Sequence, residues 1–197
     1  MLEAIRYNLS HLLDFSGRDA RKTFWLYVLF LVLAQIVIGL VASIPMYVSL
    51  FTQTFEAAAA GADAAAQMPE IMRSMVGNIK TQMLVSTVLG LILLAMMIAA
   101  IVRRLHDAGY TGWIVVLPAA TQLFSLAYTY TFIDRLEEIM FESIQTADSS
   151  QFDPYAAQAE MGALGLVGWI GIIVVIGFGV LKSEDGPNKY GDAPVSF

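Results

Sequence analysis

Residues 24–51 read FWLYVLFLVLAQIVIGLVASIPMYVSLF, an apolar run without a single Asp, Glu, Lys or Arg. Three further uncharged apolar runs follow at 83–102, 113–133 and 164–181. About 20 helical residues span a hydrocarbon core of about 30 Å, so each run is long enough to cross a membrane. Helices of soluble domains keep a polar face, which these runs lack. The sequence therefore predicts an all-α, polytopic membrane protein with four transmembrane helices, the first spanning about 24–44.

The overall composition agrees with a membrane protein and narrows the chemistry. Hydrophobic residues make up 57% of the chain and charged residues 14%, against roughly 25% charged in ordinary soluble domains. There is no cysteine, which excludes disulfides, thiolate nucleophiles and cysteine metal sites. The two histidines, His11 and His106, lie in separate segments, so we predict no metal site and no cofactor. Basic residues beside a bilayer favour lipid over nucleic acid as a partner.

The basic residues are unevenly distributed along the chain. Eight of the 11 lie in the segment 1–23, the connection 103–112 and the tail 182–197. The other three lie in the long connections 52–82 and 134–163. Because basic residues that flank membrane spans mark the cytoplasmic side, both termini and the short connection are predicted to be cytoplasmic. The whole chain is then one integral membrane domain with two long outer connections.

The N-terminal residues 1–15 are predicted to form an amphipathic helix. Apolar residues recur there at helical spacing: Leu2, Ile5, Leu9, Leu12 and Leu13. The following apolar run is too long for a signal peptide, and no small-residue cleavage site follows it. The helix is expected either to lie in the headgroup plane or to pack on the cytoplasmic face of the protein, and the pattern fits both equally.

The ends of two spans are less clearly marked. The first span is expected to end near Ile44, since the residue before Pro45 avoids helical geometry; the alternative is a helix that continues with a kink. The alanine-rich tract 57–66 favours a helical extension outside the membrane, and 71–82 is predicted to form a second short helix. Further along the chain, residues 133–144 are also predicted to form an amphipathic segment.

A final helix is predicted to start near Pro154 and to run into the fourth span. This span carries a string of small residues that suits close helix contact: Gly162, Gly165, Gly168, Gly171, Gly177 and Gly179. Packing within the bundle is the favoured use of these glycines. A homo-oligomer formed through the same face is the alternative.

Three polar motifs stand at the predicted cytoplasmic membrane boundary: SGRDARKTFW at 16–25, RRLHDAGYTGW at 103–113 and KSEDGPNKYGDAP at 182–194. Because the four-span topology puts all three on one side, they are expected to meet around the ends of the helices. The candidate binding residues in them are Arg18, Arg21, Arg103, Arg104, His106, Asp107, Asn188 and Tyr190.

These motifs resemble those of the DUF805 family of small bacterial inner-membrane proteins. The resemblance is carried by Gly17, Arg18, Arg21, Phe24 and Trp25, by the string 103–107 with Gly109, Gly112 and Trp113, and by Asn188, Tyr190, Gly191 and Pro194. It covers both ends and the centre of the chain, and the middle motif is the most specific. The resemblance implies a location in the bacterial inner membrane. It implies no reaction.

The arginines of these motifs allow two interpretations. Guanidinium groups make bidentate contacts with phosphate or carboxylate, which suits an anionic lipid headgroup. Arginines at span ends also snorkel and pair with acidic residues, which would only lock the helix ends together. His106 and Asp107 are neighbours and would point about 100° apart on a helix, so Asp19 or Asp185 is an equally good carboxylate partner for His106.

The sequence thus predicts a non-enzymatic membrane scaffold or interaction protein. Its cytoplasmic basic cluster would bind anionic phospholipid headgroups or a partner. The alternative is a membrane enzyme or transferase that acts on a phosphorylated lipid, with His106 or Asp107 as acid or base. An enzyme needs a polar cavity that holds a base beside the arginines, whereas a scaffold does not.

Overall fold

The computed structural model describes residues 1–60, 64–129, 131, 154–194 and 196–197, and within these ranges it is helical without a β-strand. The described residues form five helices: α1 (Leu2–Ser10), α2 (Arg21–Ala60), α3 (Ala64–Asp107), α4 and α5 (Pro154–Val180). Helix α4 starts as the 3-10 turn Gly112–Val115 and continues as an α-helix over 116–129.

Helices α2 and α3 form a long antiparallel hairpin. They contain 40 and 44 residues, which corresponds to about 60 Å and about 66 Å of helix. The Tyr27 hydroxyl donates to the Met96 carbonyl at 3.3 Å near one end, and Asn78 Nδ2 donates to Ser49 Oγ at 3.1 Å further along. Both helices are therefore about twice as long as a hydrocarbon core is thick.

The predicted helix end near Ile44 is wrong, because the helix continues through Pro45 to Ala60; the kink expected at Pro45 stays a prediction. Pro45 lies inside α2, and its side chain is exposed on the outside of the helix. Likewise, residues 71–82 belong to the continuous helix α3 and do not form a separate short helix. A long apolar segment outweighs the local preference of one residue before proline, since neighbouring groups in a helix can compensate for the missing donor.

Among the described residues, three helices are long and apolar enough to cross a membrane: Arg21–Ala59, Gly77–Asp107 and Gly112–Thr129. Large apolar side chains on α2 point outward, with Ile36 52% exposed, Val37 58% and Leu40 63%. Contiguous apolar surface of this kind needs a lipid environment. The chain is a membrane protein. Its last helix is described over Pro154–Val180. Residues 151–153 and the amphipathic segment predicted at 133–144 lie outside the described residues, so the helix start near Pro154 stays a prediction.

The buried core lies at the end of the bundle where the three sequence motifs meet, which we call the motif end (residues 16–25, 103–113 and 182–194). Its apolar part is a cluster of α2 and α3 side chains: Phe24, Tyr27, Leu31, Ala100, Ile101 and Leu105. The largest fully buried side chains of the described residues also include Arg103 and Arg104. The motif end is therefore the best-packed part of the described chain.

Glycines of α5 allow close contact with neighbouring helices. A Cβ atom at Gly171 would lie 2.5 Å from Thr121 Oγ1, and one at Gly179 would lie 2.7 Å from the Trp25 ring. A Cβ at Gly168 would lie 3.1 Å from Ser125 Oγ. These three positions confirm packing within the bundle. A homo-oligomer through the same helix stays a prediction.

Candidate functional site

The N-terminal helix α1 packs against the motif end through one face. Ala4, Ile5 and Asn8 are buried, whereas Leu2 is 81% and Leu13 87% exposed. The helix ends at Ser10 and is shorter than predicted. Its contact with the protein is thus made by small and polar residues, and most of the predicted leucine stripe faces outward.

Arg103 of α3 holds this N-terminal segment in place. Its Nε donates to Asp19 Oδ1 at 3.0 Å, and its Nη2 donates to Asn8 Oδ1 at 2.7 Å. Its Nη1 donates to the main-chain carbonyls of His11 at 2.8 Å and Asp14 at 2.6 Å. The side chain is 1% exposed. A planar guanidinium with five donors can satisfy this many acceptors at once, which a lysine cannot.

Arg104, the next residue, caps the end of α5. Its Nε donates to the Gly179 carbonyl at 3.2 Å, and its Nη2 donates to the Leu181 carbonyl. Its Nη1 donates to Asp107 Oδ2 one turn further along α3. The last carbonyls of a helix lack intrahelical partners, and a cation beside them also complements the helix dipole. Arg104 therefore ties the C-terminal end of α5 to α3.

Arg18 binds the C-terminal tail. Its Nη1 donates to the Gly186 carbonyl at 2.6 Å and, at 3.5 Å, to the Gly191 carbonyl. Its Nη2 donates to the Glu184 carbonyl at 2.8 Å and to Asp107 Oδ1 at 3.1 Å. The tail segment is thus held by hydrogen bonds from a buried arginine of the N-terminal segment.

Asp107 is the common acceptor of this arrangement. Oδ1 accepts from Arg18, and Oδ2 accepts from Arg104 and from the Ser183 hydroxyl. Its own carbonyl accepts the Glu184 N–H at 2.9 Å. The side chains of Asp107 and Arg18 are fully buried. We call the five buried charged residues the ion-pair cluster: Arg18, Asp19, Arg103, Arg104 and Asp107.

The α3 helix ends in a Schellman motif that depends on Gly109. The Tyr110 N–H donates to the Leu105 carbonyl at 2.9 Å, and the Gly109 N–H donates to the His106 carbonyl at 3.1 Å. Gly109 has a φ of 79°, in the left-handed region that this motif needs. A Cβ there would also lie 2.2 Å from Glu184 Oε1. The glycine of the middle motif is thus needed for both the turn and the docking of the tail.

His106 and the tail residues Asn188 and Tyr190 form the outer layer of the motif end. The Tyr190 ring stacks on the imidazole with centroids 3.8 Å apart. Asn188 Nδ2 donates to the His106 carbonyl at 2.9 Å. His106 Nδ1 lies 3.3 Å from the Gly17 carbonyl, and no carboxylate contacts it in the described part of the chain. The ring is therefore oriented by main chain and by stacking.

Residues 12–192 match the family described as "Protein of unknown function (DUF805)". The chain belongs to the DUF805 family. The match covers nearly the whole chain and includes all three motifs that meet here. The comparisons with curated proteins and with solved structures gave no match.

Not every predicted site residue of this DUF805 chain joins the cluster. Arg21 is exposed, and its Nη1 makes one hydrogen bond at 3.4 Å to the Val180 carbonyl. The other basic residues exposed around the motif end are Arg6, Lys22, Lys182 and Lys189. The structure thus divides the basic residues into a buried set that contacts protein and an exposed set that faces the surroundings.

Burial also changes the titration of the N-terminal groups. Desolvation raises the pKa of the Asp19 carboxyl, although the charge of Arg103 and its hydrogen bond oppose this shift. Desolvation likewise raises the pKa of the Tyr7 hydroxyl, with the charge of Asp19 as the next contribution. Asp19 Oδ2 is buried without a well-formed hydrogen bond in the described structure. Tyr7 interacts with this carboxylate and favours its charged form.

The space beside the motif end is mainly apolar. A cleft of about 480 Å³ is lined by Phe15, Val102, Trp113 and other apolar residues, with His106 and Tyr190 at one edge. No arginine or aspartate of the ion-pair cluster lines it. Across the described residues, no group of three or more His, Asp or Glu side chains is placed to hold a metal ion. The polar centre of this DUF805 protein is therefore filled by its own side chains.

Sequence reasoning missed several participants. Asn8, Ser183 and Glu184 all bind members of the cluster, and main-chain carbonyls take most of the arginine donors. In the sequence Asn8 is one of the polar residues between the apolar positions of 1–15, which does not reveal that it is buried. The carbonyl acceptors had no side-chain signature, since every residue has one.

Proposed function

We propose that this protein is a non-enzymatic membrane scaffold or interaction protein. The observation that carries the proposal is the burial of Arg18, Arg103 and Arg104, whose donors bind carboxylates and main-chain carbonyls of the same chain. Buried charges can fix a particular arrangement of elements, and we infer that role for the cluster here. The cluster joins α1, α3, the end of α5 and the tail into one unit.

The proposed topology has four membrane spans in the bacterial inner membrane, with both termini cytoplasmic. Helix α5 contains 27 residues, about 40 Å of helix, which is sufficient for a fourth span beside the three long apolar helices. The excess of basic residues at the motif end supports its cytoplasmic position. The hairpin of α2 and α3 then extends beyond the opposite membrane surface.

In this proposal the exposed basic residues contact the anionic headgroups. Arg21 and Lys22 stand at the start of α2, and Lys182 and Lys189 lie in the tail. Each basic residue close to an anionic surface contributes about 1 kcal/mol of attraction. The exposed leucines of α1 support an interfacial position for that helix, because they would otherwise face water. The buried arginines hold together the surface that carries these cations.

The enzyme alternative has less support. Both carboxylate oxygens of Asp107 are occupied and its side chain is fully buried, so a substrate has no access to it. His106 is covered on one ring face by Tyr190, and the adjoining cleft is mainly apolar. A general acid or base must lie within hydrogen-bonding distance of the bound substrate. The arginines that would bind a phosphate group of that substrate point into the protein.

A matched pair of double variants tests the headgroup contact. Arg21→Gln/Lys22→Gln removes two exposed cations from the motif end, and Arg73→Gln/Lys80→Gln removes two from the far part of α3. Each protein is reconstituted in nanodiscs from mixed phosphatidylglycerol and phosphatidylcholine, and the lipids retained after detergent extraction are counted by mass spectrometry. We expect the first variant to have a clearly lower phosphatidylglycerol enrichment than the wild type, because two of its exposed cations are removed, and the second to keep the wild-type enrichment. Equal enrichment in all three proteins would contradict headgroup binding at the motif end.

A further inference from the structure

A second cavity, of about 490 Å³, lies between α2, α3, α4 and α5. All four helices contribute apolar walls, among them Val28, Leu93, Pro118 and Val175. The volume falls within the range of about 300–1,000 Å³ that is typical of ligand sites. Some of its lining side chains are also exposed, such as Val32 at 46% and Ile172 at 44%, so the cavity opens towards the lipid and a molecule dissolved in the bilayer can enter it.

Two amide side chains, Gln35 and Gln122, supply the polar groups of this cavity, and no charged residue lines it among those that the structure describes. Neither amide has a hydrogen-bond partner within the described part of the chain. The indole N–H of Trp25, which also lines the cavity, is already used and donates to the Gly179 carbonyl at 3.0 Å. An unpaired amide in an apolar environment costs free energy, so the two glutamines are available to bind a ligand.

The depth of the glutamines restricts the ligand. Gln35 lies about 21 Å along α2 from Arg21, and Gln122 lies about 15 Å along α4 from Gly112. In a hydrocarbon core of about 30 Å that starts at Arg21 and Gly112, Gln122 is at the middle and Gln35 lies about 6 Å beyond it, so both amides are well inside the core. A charged headgroup is strongly disfavoured at that depth. The ester groups of a phospholipid stay near the interface, so an ordinary phospholipid tail leaves both amides unpaired.

We propose that this cavity binds a neutral lipid of the quinone class. The ring of such a molecule carries two carbonyl oxygens, which accept hydrogen bonds from the Gln35 and Gln122 amides. The ring is uncharged and can therefore reach the bilayer centre, and the apolar walls accommodate its tail. This inference rests on the cavity between the spans and is independent of the scaffold role of the motif end.

Tryptophan fluorescence provides the test, because the chain has three tryptophans and only Trp25 lines the cavity. Trp113 and Trp169 are 81% and 58% exposed, so Trp113→Phe/Trp169→Phe leaves Trp25 as the single emitter. This protein is placed in nanodiscs and titrated with decylubiquinone, which quenches tryptophan. We expect saturable quenching above the linear background from quinone dissolved in the bilayer. Purely linear quenching would overturn the proposal.

Further substitutions in the Trp113→Phe/Trp169→Phe protein define the role of the two amides. Gln35→Leu and Gln122→Leu should each weaken the saturable phase about three- to tenfold, the loss expected for one hydrogen bond. Gln82→Leu, which removes an amide outside the cavity, should leave it unchanged. Val28→Phe should abolish it by filling the space. Equal quinone affinities of the Gln35 and Gln82 variants would overturn the proposal. So would saturable quenching by a bromoalkane with the chain length of the quinone tail, if no glutamine variant changes that quenching.

Discussion

Arg18 and Asp107 are 89 positions apart in the chain and form a fully buried ion pair, with Nη2 3.1 Å from Oδ1. The same carboxylate accepts from Arg104, so one acidic side chain is the shared counter-ion of an arginine from the N-terminal segment and of one from α3. A buried charge is costly unless it is paired and hydrogen-bonded, and here both conditions are met. The pair therefore makes the position of the N-terminal segment depend on the end of α3.

Removing the shared acceptor should destabilise the protein strongly. Asp107→Asn leaves two buried arginines without their counter-ion, and breaking a buried pair costs about 3–5 kcal/mol. The unfolding free energy in neutral detergent measures this loss. The matched control is Asp185→Asn, which removes the carboxylate of a largely exposed pair with Lys182 and should leave stability nearly unchanged. Equal effects of the two substitutions would contradict a structural role for the cluster.

Gly109→Ala should also destabilise the protein, by at least about 1–2 kcal/mol, because an L-residue is disfavoured in the left-handed region. The added Cβ would in addition displace Glu184 and loosen the tail. Gly39→Ala is the control, since that glycine lies in α2 with open space around its Cβ position. Thermal unfolding and protease cleavage of the tail measure the two effects. A Gly109 variant that is as stable as the Gly39 variant would exclude the Schellman assignment.

The membrane class and the meeting of the motifs could be predicted from the sequence, because both follow from long-range patterns of apolar and basic residues. The roles of individual arginines could not. Arg103 and Arg21 look equivalent in the sequence, yet one is buried with four acceptors and the other is exposed. Their difference arises from the path of the main chain around them, which supplies carbonyls that carry no sequence signal. The length of α2 was underestimated because Pro45 is a local signal that the long apolar helix outweighs.

The burial of Asp19 predicts an unusual pH dependence. Burial raises the pKa of the Asp19 carboxyl above its ordinary value of 3.8. Between pH 3.8 and this raised pKa, the folded protein therefore binds more protons than the unfolded chain. The stability of the wild type relative to Asp19→Asn should therefore fall as the pH rises through this window. Unfolding of both proteins in neutral detergent between about pH 4 and about pH 7 measures the difference. A relative stability that rises with pH would mean that Arg103 holds the pKa below its ordinary value.

The topology can be mapped cleanly because the chain contains no cysteine. Single variants Thr111→Cys and Ser196→Cys introduce thiols at the motif end, and Ala59→Cys introduces one at the far end of α2. With a membrane-impermeant maleimide, we expect the first two to react from the cytoplasmic side and the third from the opposite side. Reaction of Ala59→Cys and Thr111→Cys from the same side would contradict the proposed orientation.

The most direct test of the central claim, that the buried arginines hold the motif end together and do not bind headgroups, is the double variant Arg103→Gln/Arg104→Gln. Its stability in neutral detergent and its phosphatidylglycerol enrichment in mixed nanodiscs are measured on the same preparation. We expect a large loss of stability, since breaking each buried pair costs about 3–5 kcal/mol, and an unchanged lipid preference in the folded fraction. Intact stability with a lost preference for phosphatidylglycerol would contradict it.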